Sequence, residues 1–348
     1  MDAAFSDDQQ LFASAVAQVL ADRCTPDTVR SQWDAGAAPH SPAWGALVDM
    51  GLTSLLVPES HSGYGLGMSD LVSCLTEAGR ACLPDQLTTQ AAFVAPLLSS
   101  VVDDAATSPL AKELLDRVVG GASVGVVWRE QLGGSDFAVG TRAAVGFLTF
   151  RADTLIYVAA HDTTTSPRRS VDTSRQLGAV TWDRSGEVPL AVGPVARDAW
   201  LLAGERAMVG TAAECCGLAR ALIDQTVAYV NDRQQFGVPI GSFQAVKHQL
   251  ADALMKVTFA QPLVLRAAWA LDNADPDAII DVSAAKSASS DAADFASRVA
   301  LQLHGAIGYT FEFDLQLWMK RVYALREQWG SAGQHRQRIA LRLGLVSS

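Results

Sequence analysis

Basic charge is scarce and scattered in this chain. No run of Lys and Arg exceeds a pair, as at Arg168-Arg169 and Lys320-Arg321, and the formal net charge is −10. A protein that grips a nucleic-acid backbone needs a continuous basic face, so nucleic acid is excluded as the main partner. A few local arginines still suffice for one anionic cofactor. Cysteine is also scarce. Cys24, Cys74, Cys82, Cys215 and Cys216 are odd in number and none stands at metal-ligand spacing. They read as small buried residues of a protein kept in a reducing cytoplasm, with no metal. No apolar run reaches the roughly 18–20 residues that span a bilayer, so no membrane insertion is expected. The opening Met1-Asp2-Ala3-Ala4-Phe5-Ser6-Asp7-Asp8 is acidic rather than basic, so no secretory leader is expected either.

What is present is a long, apolar chain: 348 residues, 49% apolar and 18% charged. That is enough to bury a large core and too much for one compact unit of ordinary size, so two or three domains are expected. Residues 5–115 read as helices. Ser6 and Gln9 have the spacing of a capping box, and Leu11, Phe12, Val16, Val19 and Leu20 fall on one helical face. Further helices are predicted over 42–50, 69–79, 86–100 and 108–118. The glycines of His61-Ser62-Gly63-Tyr64-Gly65-Leu66-Gly67 mark a loop. Near residue 122 the pattern turns to short segments rich in Val, Thr and aromatics, around 124–128, 143–150, 154–159, 179–182 and 188–192. The polar stretch 161–176 reads as a surface loop. From about 202 long helical periodicity returns. Phe243, Val246, Leu250, Leu254 and Val257 share one face, and helices over 202–232, 242–269 and 277–303 with short connections describe a bundle. The fold class is therefore mainly α with a small middle β-domain. Its parts are an N-terminal helical domain (1–120), a shortened β-domain (121–198) and a C-terminal helical bundle (199–348).

Two segments suggest chemistry. In Asn231-Asp232-Arg233-Gln234-Gln235-Phe236-Gly237-Val238-Pro239-Ile240-Gly241-Ser242-Phe243-Gln244 an arginine ends one helix, a Gly/Pro turn follows, and a new helix starts. Arginine suits phosphate oxygens, and a helix N-terminus favours anions. A plain helix stop explains the same residues. In Leu301-Gln302-Leu303-His304-Gly305-Ala306-Ile307-Gly308-Tyr309-Thr310 glycines end a helix and admit close backbone approach. His304 alone reads as a capping or packing residue.

Taken together and in this order, the two segments resemble the acyl-CoA dehydrogenase family. The first is similar to that family's Arg-x-x-Phe-Gly, Gly/Pro-Ile, Phe-Gln and Leu-Ala-Asp pattern, completed here by Leu250-Ala251-Asp252. The second is similar to its Gln-x-x-Gly-Gly-x-Gly-Tyr turn, with Ala306 in place of the second glycine. Trp44, Leu47, Gly51-Leu52, Pro58-Glu59, Asp70 and Glu77-Ala78-Gly79-Arg80 resemble the family's N-terminal domain. The resemblance implies a helical domain, a β-domain and a four-helix bundle that carries FAD and oligomer contacts. It implies FAD bound between subunits and α,β-desaturation of an acyl-CoA, in which a carboxylate removes the α-proton and flavin takes the β-hydride. By position, Arg233 contacts the pyrophosphate of a neighbouring subunit's FAD, Phe236 packs near the adenine, and Phe243 and Gln244 line the same cofactor segment. Gln302, Leu303, His304 and Gly305 form the turn over the pyrophosphate.

The rest of the pattern is incomplete. Glu130-Gln131-Leu132-Gly133-Gly134-Ser135-Asp136 resembles the loop that holds substrate and flavin, without its Thr and Pro, and nothing near Val145–Phe150 matches the flavin-facing Trp. The position of the catalytic carboxylate is Trp329, within Gln328-Trp329-Gly330-Ser331, which cannot take a proton. The alternative family position is Ala207. Glu205, the remaining candidate, lies about 200° round the helix from it, and Glu327 is also off-position. This combination resembles the short, base-lacking subunits of actinobacterial heterotetrameric dehydrogenases of sterol side chains. It implies a sister acyl-CoA dehydrogenase subunit as partner, in an α2β2 assembly. A self-sufficient homo-oligomeric enzyme and a flavin-free scaffold are the alternatives.

Overall fold

The protein is described from a computed structural model, which covers residues 5–34, 36–104, 108–129 and 136–346. Helices lead the chain: α1 (Asp7–Arg23), α2 (Pro26–Ser31), α3 (Trp44–Asp49), α4 (Met68–Arg80), α5 (Ala95–Val101) and α6 (Pro109–Val119). The capping box forms as the spacing predicts. The Gln9 amide N–H donates to Ser6 Oγ at 3.2 Å, and the Ser6 N–H donates to Gln9 Oε1 at 3.0 Å. The helix expected over 86–100 divides instead. A wholly buried π-helical turn, Thr89–Val94, runs into α5. Such turns widen a helix by one residue and commonly serve sites.

Strands follow: β1 (Ser123–Val126), β2 (Phe137–Ala138), β3 (Ala144–Arg151), β4 (Thr154–Ala159), β5 (Thr163–Pro167), β6 (Gly178–Trp182) and β7 (Glu187–Val192). One sheet has the order β1-β3-β4-β7, with β1 parallel to β3 and the other pairs antiparallel. The second has the order β2-β6-β5 and is antiparallel. The edge of β1 is closed by a side chain of the π-helical turn. Gln90 Nε2 donates to the Val124 carbonyl and Gln90 Oε1 accepts from the Val124 N–H, both at 3.0 Å. A side-chain amide thus pairs with both backbone groups of Val124, as a further strand would.

The bundle consists of α7 (Pro194–Asp232), α8 (Gln244–Asp272), α9 (Ala278–His304), α10 (Leu315–Leu325) and α11 (Ala332–Arg342). Helix α7 begins eight residues before the predicted start, because Pro194 fits the first turn of a helix. It packs on α4 at backbone contact. A Cβ on Gly79 would lie 2.2 Å from the Glu214 carbonyl oxygen, and one on Gly217 would lie 1.9 Å from that of Thr76. Only glycine at both positions permits this approach. No helix of the described residues is long and apolar enough to cross a membrane. All five cysteines are buried as free thiols, and burial pushes Cys215 up to about 11 and Cys24 and Cys74 up to about 12.

The stretch 161–176 corrects the sequence reading. It is no simple surface loop, for Thr163–Pro167 is strand β5 and Asp172, Ser174 and Arg175 are buried. The threonines that read as loop are in fact an edge strand with its face to solvent. The buried residues meet Arg321 of α10. Its Nε donates to Asp172 Oδ2, its Nη2 to Ser174 Oγ at 2.9 Å, and its Nη1 to the Leu83 carbonyl. One guanidinium therefore joins the N-terminal helices, the β-segment and the bundle. Removing the charge of one partner leaves the other buried and uncompensated, at a cost of about 3–5 kcal/mol. Asp172→Asn should lower unfolding stability by that amount. Urea denaturation should show a lower midpoint at an unchanged slope, and an unchanged midpoint would show that the pair is dispensable.

Candidate functional site

The two segments singled out in the sequence meet at one end of the bundle. Helix α7 ends at Asp232 and α9 ends at His304. Their last turns are joined by Tyr229, whose ring stacks on His304 at 4.3 Å and whose hydroxyl donates to the His304 carbonyl at 3.4 Å. Phe313 closes the cluster, 5.1 Å from the His304 ring. His304 is buried, and burial pushes its imidazole below the usual histidine range, so it is neutral. Its Nδ1 lies 2.7 Å from the Ala300 carbonyl and so carries the hydrogen. His304 is thus a packing residue that locks the two helix ends together, and its side chain faces inward.

The residues around this lock face outward. Arg233 caps α7 and its carbonyl accepts from the Ile240 N–H at 2.8 Å. That bond closes a short hairpin of β8 (Gln234–Gln235) and β9 (Val238–Pro239). The Arg233 side chain is exposed and has no ion partner among the described residues. At the hairpin tip Phe236 has φ 54° and is 91% exposed, with Phe243 edge-on to it at 6.2 Å. Phe243 is also the N-cap of α8 and has no oxygen with which to cap it. The first amides of α8, beside the exposed Gln244, therefore lack a side-chain acceptor from the cap. Across the Tyr229–His304 contact, Gln302 is exposed and Leu303 is half-buried. Gly305 has φ 62°, and a Cβ added there would meet nothing within 4 Å. A guanidinium, an uncapped helix N-terminus, an open glycine turn and two aromatic faces make a platform suited to a pyrophosphate and a flat ring. These residues fit the phosphate-bearing half of FAD.

A second feature is a cleft of about 270 Å³ between the β-segment and α10. Its walls include Thr89, Val126, Trp128, Phe137, Arg175, Leu177, Gln328 and Trp329. Small-molecule sites usually run from about 300 to 1,000 Å³, so the cleft is at or below the lower end. Aromatic rings fill the space behind it. Trp329 stacks on Phe93 at 5.5 Å and meets Trp128 edge-on at 5.3 Å, and Trp128 stacks on Trp200 at 5.2 Å. Trp329 is 6% exposed and has φ 60°, a left-handed conformation that a bulky residue adopts only when its surroundings compel it.

What compels it is a pair of buried hydrogen-bond donors. Lys286 of α9 is fully buried. Its Nζ donates to Ser290 Oγ at 2.9 Å, to the Arg326 carbonyl at 3.1 Å and to the Gly330 carbonyl at 3.2 Å. His335 of α11 sits 3.1 Å from the Trp329 carbonyl through Nε2. Three carbonyls of the turn are thereby held, and the indole with them. Sequence reasoning missed Lys286 and His335. The available signal was a lone lysine on a face of α9 otherwise made of Ala, Ser and Val.

The candidate carboxylates are each engaged in an ion pair. Glu205 accepts both Nη groups of Arg338 in α11, one at 3.0 Å, in a fork between α7, α9 and α11. Glu327 lies on the cleft rim with 59% of its side chain exposed and pairs with Arg326 at 3.2 Å. Ala207 is buried. Of the loop Glu130–Asp136, residues 130–135 lie outside the described residues. Among the described residues no group of three or more His, Cys, Asp or Glu is placed to hold a metal ion.

Comparison with known proteins supplies the context. Residues 6–122 match the family model described as acyl-CoA dehydrogenase, N-terminal domain, and residues 195–344 match that of the C-terminal domain. Acyl-CoA dehydrogenase IpdE2 of Mycolicibacterium smegmatis is 28% identical over 337 residues, 96% of this chain and 98% of the relative. Two solved structures share the fold. The ChsE4-ChsE5 complex from Mycobacterium tuberculosis has a TM-score of 0.83 at 22% identity, covering 100% of both chains. The Tcur3481-Tcur3483 steroid ACAD has a TM-score of 0.82 at 22% identity, covering 98% of this chain and 99% of that one.

The clamp on Trp329 predicts a pH dependence. Burial, and secondly Lys286, push the His335 imidazole down to about 3, and burial pushes the Lys286 ammonium down to about 8. Between pH 3 and roughly 6.5 the unfolded chain binds the histidine proton and the native chain does not. Stability should therefore fall as pH drops through that window. By the same sign, Lys286 contributes a rise in stability from pH 8 to roughly 10.4. His335→Gln should flatten the acid limb and Lys286→Met the alkaline one, read as urea midpoints across pH. Variants that keep the wild-type slopes would assign them to other groups.

Proposed function

The chain belongs to the acyl-CoA dehydrogenase family of oxidoreductases, and we propose that it is the FAD-sharing subunit of a hetero-oligomeric member rather than a complete enzyme. One observation carries this reading. The position that the family resemblance assigns to the catalytic carboxylate holds Trp329, buried, clamped by Lys286 and His335 and stacked in an aromatic cluster, while Arg233 and Phe236 are exposed. A chain built this way offers cofactor contacts outward and retains no base at that position.

The roles follow residue by residue. FAD, when bound, supplies hydride acceptance from the acyl chain. Arg233 and the amides at the start of α8 near Gln244 hold pyrophosphate oxygens of a cofactor seated mainly on the partner. Phe236 and Phe243 pack on its adenine side. Gln302, Leu303 and Gly305 bring backbone over the other end, with His304 holding that turn in place through Tyr229. Glu205 is bound to Arg338, and so serves the bundle rather than proton removal. The partner is a sister acyl-CoA dehydrogenase subunit that carries the base, in an α2β2 arrangement, and residues 199–348 supply the contacts. The likeness in length and fold to the ChsE4-ChsE5 complex and the Tcur3481-Tcur3483 steroid ACAD supports this assembly and a steroid or other lipid acyl-CoA as substrate. Free buried thiols support a cytoplasmic setting.

Co-expression with a sister subunit from the same gene neighbourhood tests the reading. The complex should carry a flavin spectrum that bleaches with acyl-CoA, and this chain alone should be colourless. Loss of a hydrogen bond to a charged group costs about 1.5–3 kcal/mol, so Arg233→Gln should weaken FAD binding roughly tenfold to hundredfold. Trp329→Phe in the complex should leave turnover within about twofold. Flavin reduction by the chain alone would sink the proposal, and a colourless complex would favour a flavin-free scaffold.

A further inference from the structure

The cleft has a feature that neither cofactor sharing nor stability uses. Arg175 lines it at 7% exposure, and its guanidinium makes one side-chain hydrogen bond among the described residues, from Nη2 to Gln328 Oε1. A guanidinium has five N–H donors. No carboxylate forms an ion pair with it among the described residues. The acidic groups that face it are each committed. Asp172 binds Arg321 and Ser174, Glu214 of α7 accepts from the Thr88 hydroxyl, and Glu327 is paired with Arg326 at the exposed rim. Arg321, already neutralised by Asp172, adds like charge nearby. Burial accordingly pulls the Arg175 guanidinium down from its usual range to about 10.

A buried, unpaired cation is costly to keep, and its cost is relieved when a ligand brings the opposite charge. The surroundings define that ligand further. Val126, Trp128, Phe137, Val139, Leu177 and Trp329 give apolar and aromatic walls, and a volume of about 270 Å³ is too small for a large planar cofactor together with a substrate. We propose that this cleft is a binding site for a carboxylate carried on a compact apolar body, with Arg175 as the residue that reads the carboxylate. Arginine presents the planar fork that matches a carboxylate in two parallel hydrogen bonds, and Gln328 orients that fork from the turn that also carries Trp329. The carboxylate can arrive as a free hydrophobic acid or as the far end of an acyl-CoA derived from a dicarboxylic acid. This site is independent of the FAD platform, which lies at the end of α7 and α9.

Isothermal titration of the full chain, alone and in complex with its partner, tests the proposal with four probes: 3-cyclohexylpropionate, its primary amide, adipyl-CoA and hexanoyl-CoA. Binding of the acid at least tenfold tighter than the amide identifies a free-acid site. Binding of adipyl-CoA at least tenfold tighter than hexanoyl-CoA identifies the acyl-CoA source. In either case Arg175→Gln should weaken the charged probe at least tenfold and leave the neutral one unchanged. Should that variant fold poorly, Leu177→Trp, which fills the cleft and keeps the arginine, should abolish binding of the same probe. Equal binding of charged and neutral probes, undiminished binding in either variant, or no binding of either carboxylate would overturn the proposal. Flavin content, measured on the same samples, reports separately on the FAD-sharing role.

Discussion

The structure turns on one buried cation. Arg321 sits among the N-terminal helices, the β-segment and the bundle, with Asp172 as its counter-charge and Ser174 and the Leu83 carbonyl each taking a further donor. An unpaired charge at that depth is costly, and the polar stretch after β5 folds inward to meet it. That inward course buries Arg175 and sets it against Gln328. The cleft is therefore a consequence of how Arg321 is neutralised. The same pairing explains why a segment composed largely of Thr, Ser and Arg is part of the interior.

The second constraint is the turn after α10. Its carbonyls point into the bundle and require donors. Lys286 and His335 provide them, which fixes Trp329 in a conformation it would not choose alone. An indole held this way completes a cluster with Phe93, Trp128 and Trp200, in which ring packing fills the space behind the cleft. At the far end of the bundle the opposite holds. Tyr229 and His304 bind two helix ends together, while Arg233, Phe236 and Gly305 around them stay bare. Phe236 and Phe243 thus present a pair of aromatic rings to solvent at the hairpin.

The parts of the fold that were legible in the sequence rest on local rules. The capping box at Ser6 and Gln9, the periodicity from Phe243 to Val257, and the shift near residue 122 from helical periodicity to short segments rich in Val, Thr and aromatics each depend on residues within a turn or two of one another. The two motif segments were legible for the same reason, since each is a helix end with its own turn. The stretch 161–176 was misread because polarity is a poor guide where a polar residue has a buried partner far away. Asp172 and Arg321 are 149 residues apart. Lys286 was overlooked because a single lysine in a helix reads as solvated, and only the carbonyls of Arg326 and Gly330 make it structural.

By itself, then, the sequence determined the order of helices, strands and bundle, the two helix ends with their turns, and the absence of a carboxylate at residue 329, because these depend on residue type and short spacing. Only the tertiary structure decided that Trp329 is clamped rather than loose, that Glu205 belongs to Arg338, that His304 faces inward, and that Arg175 is left with spare donors in a cleft. Each of those depends on which charge or carbonyl meets which donor across the fold, and pairing at long range leaves no periodic trace in the chain.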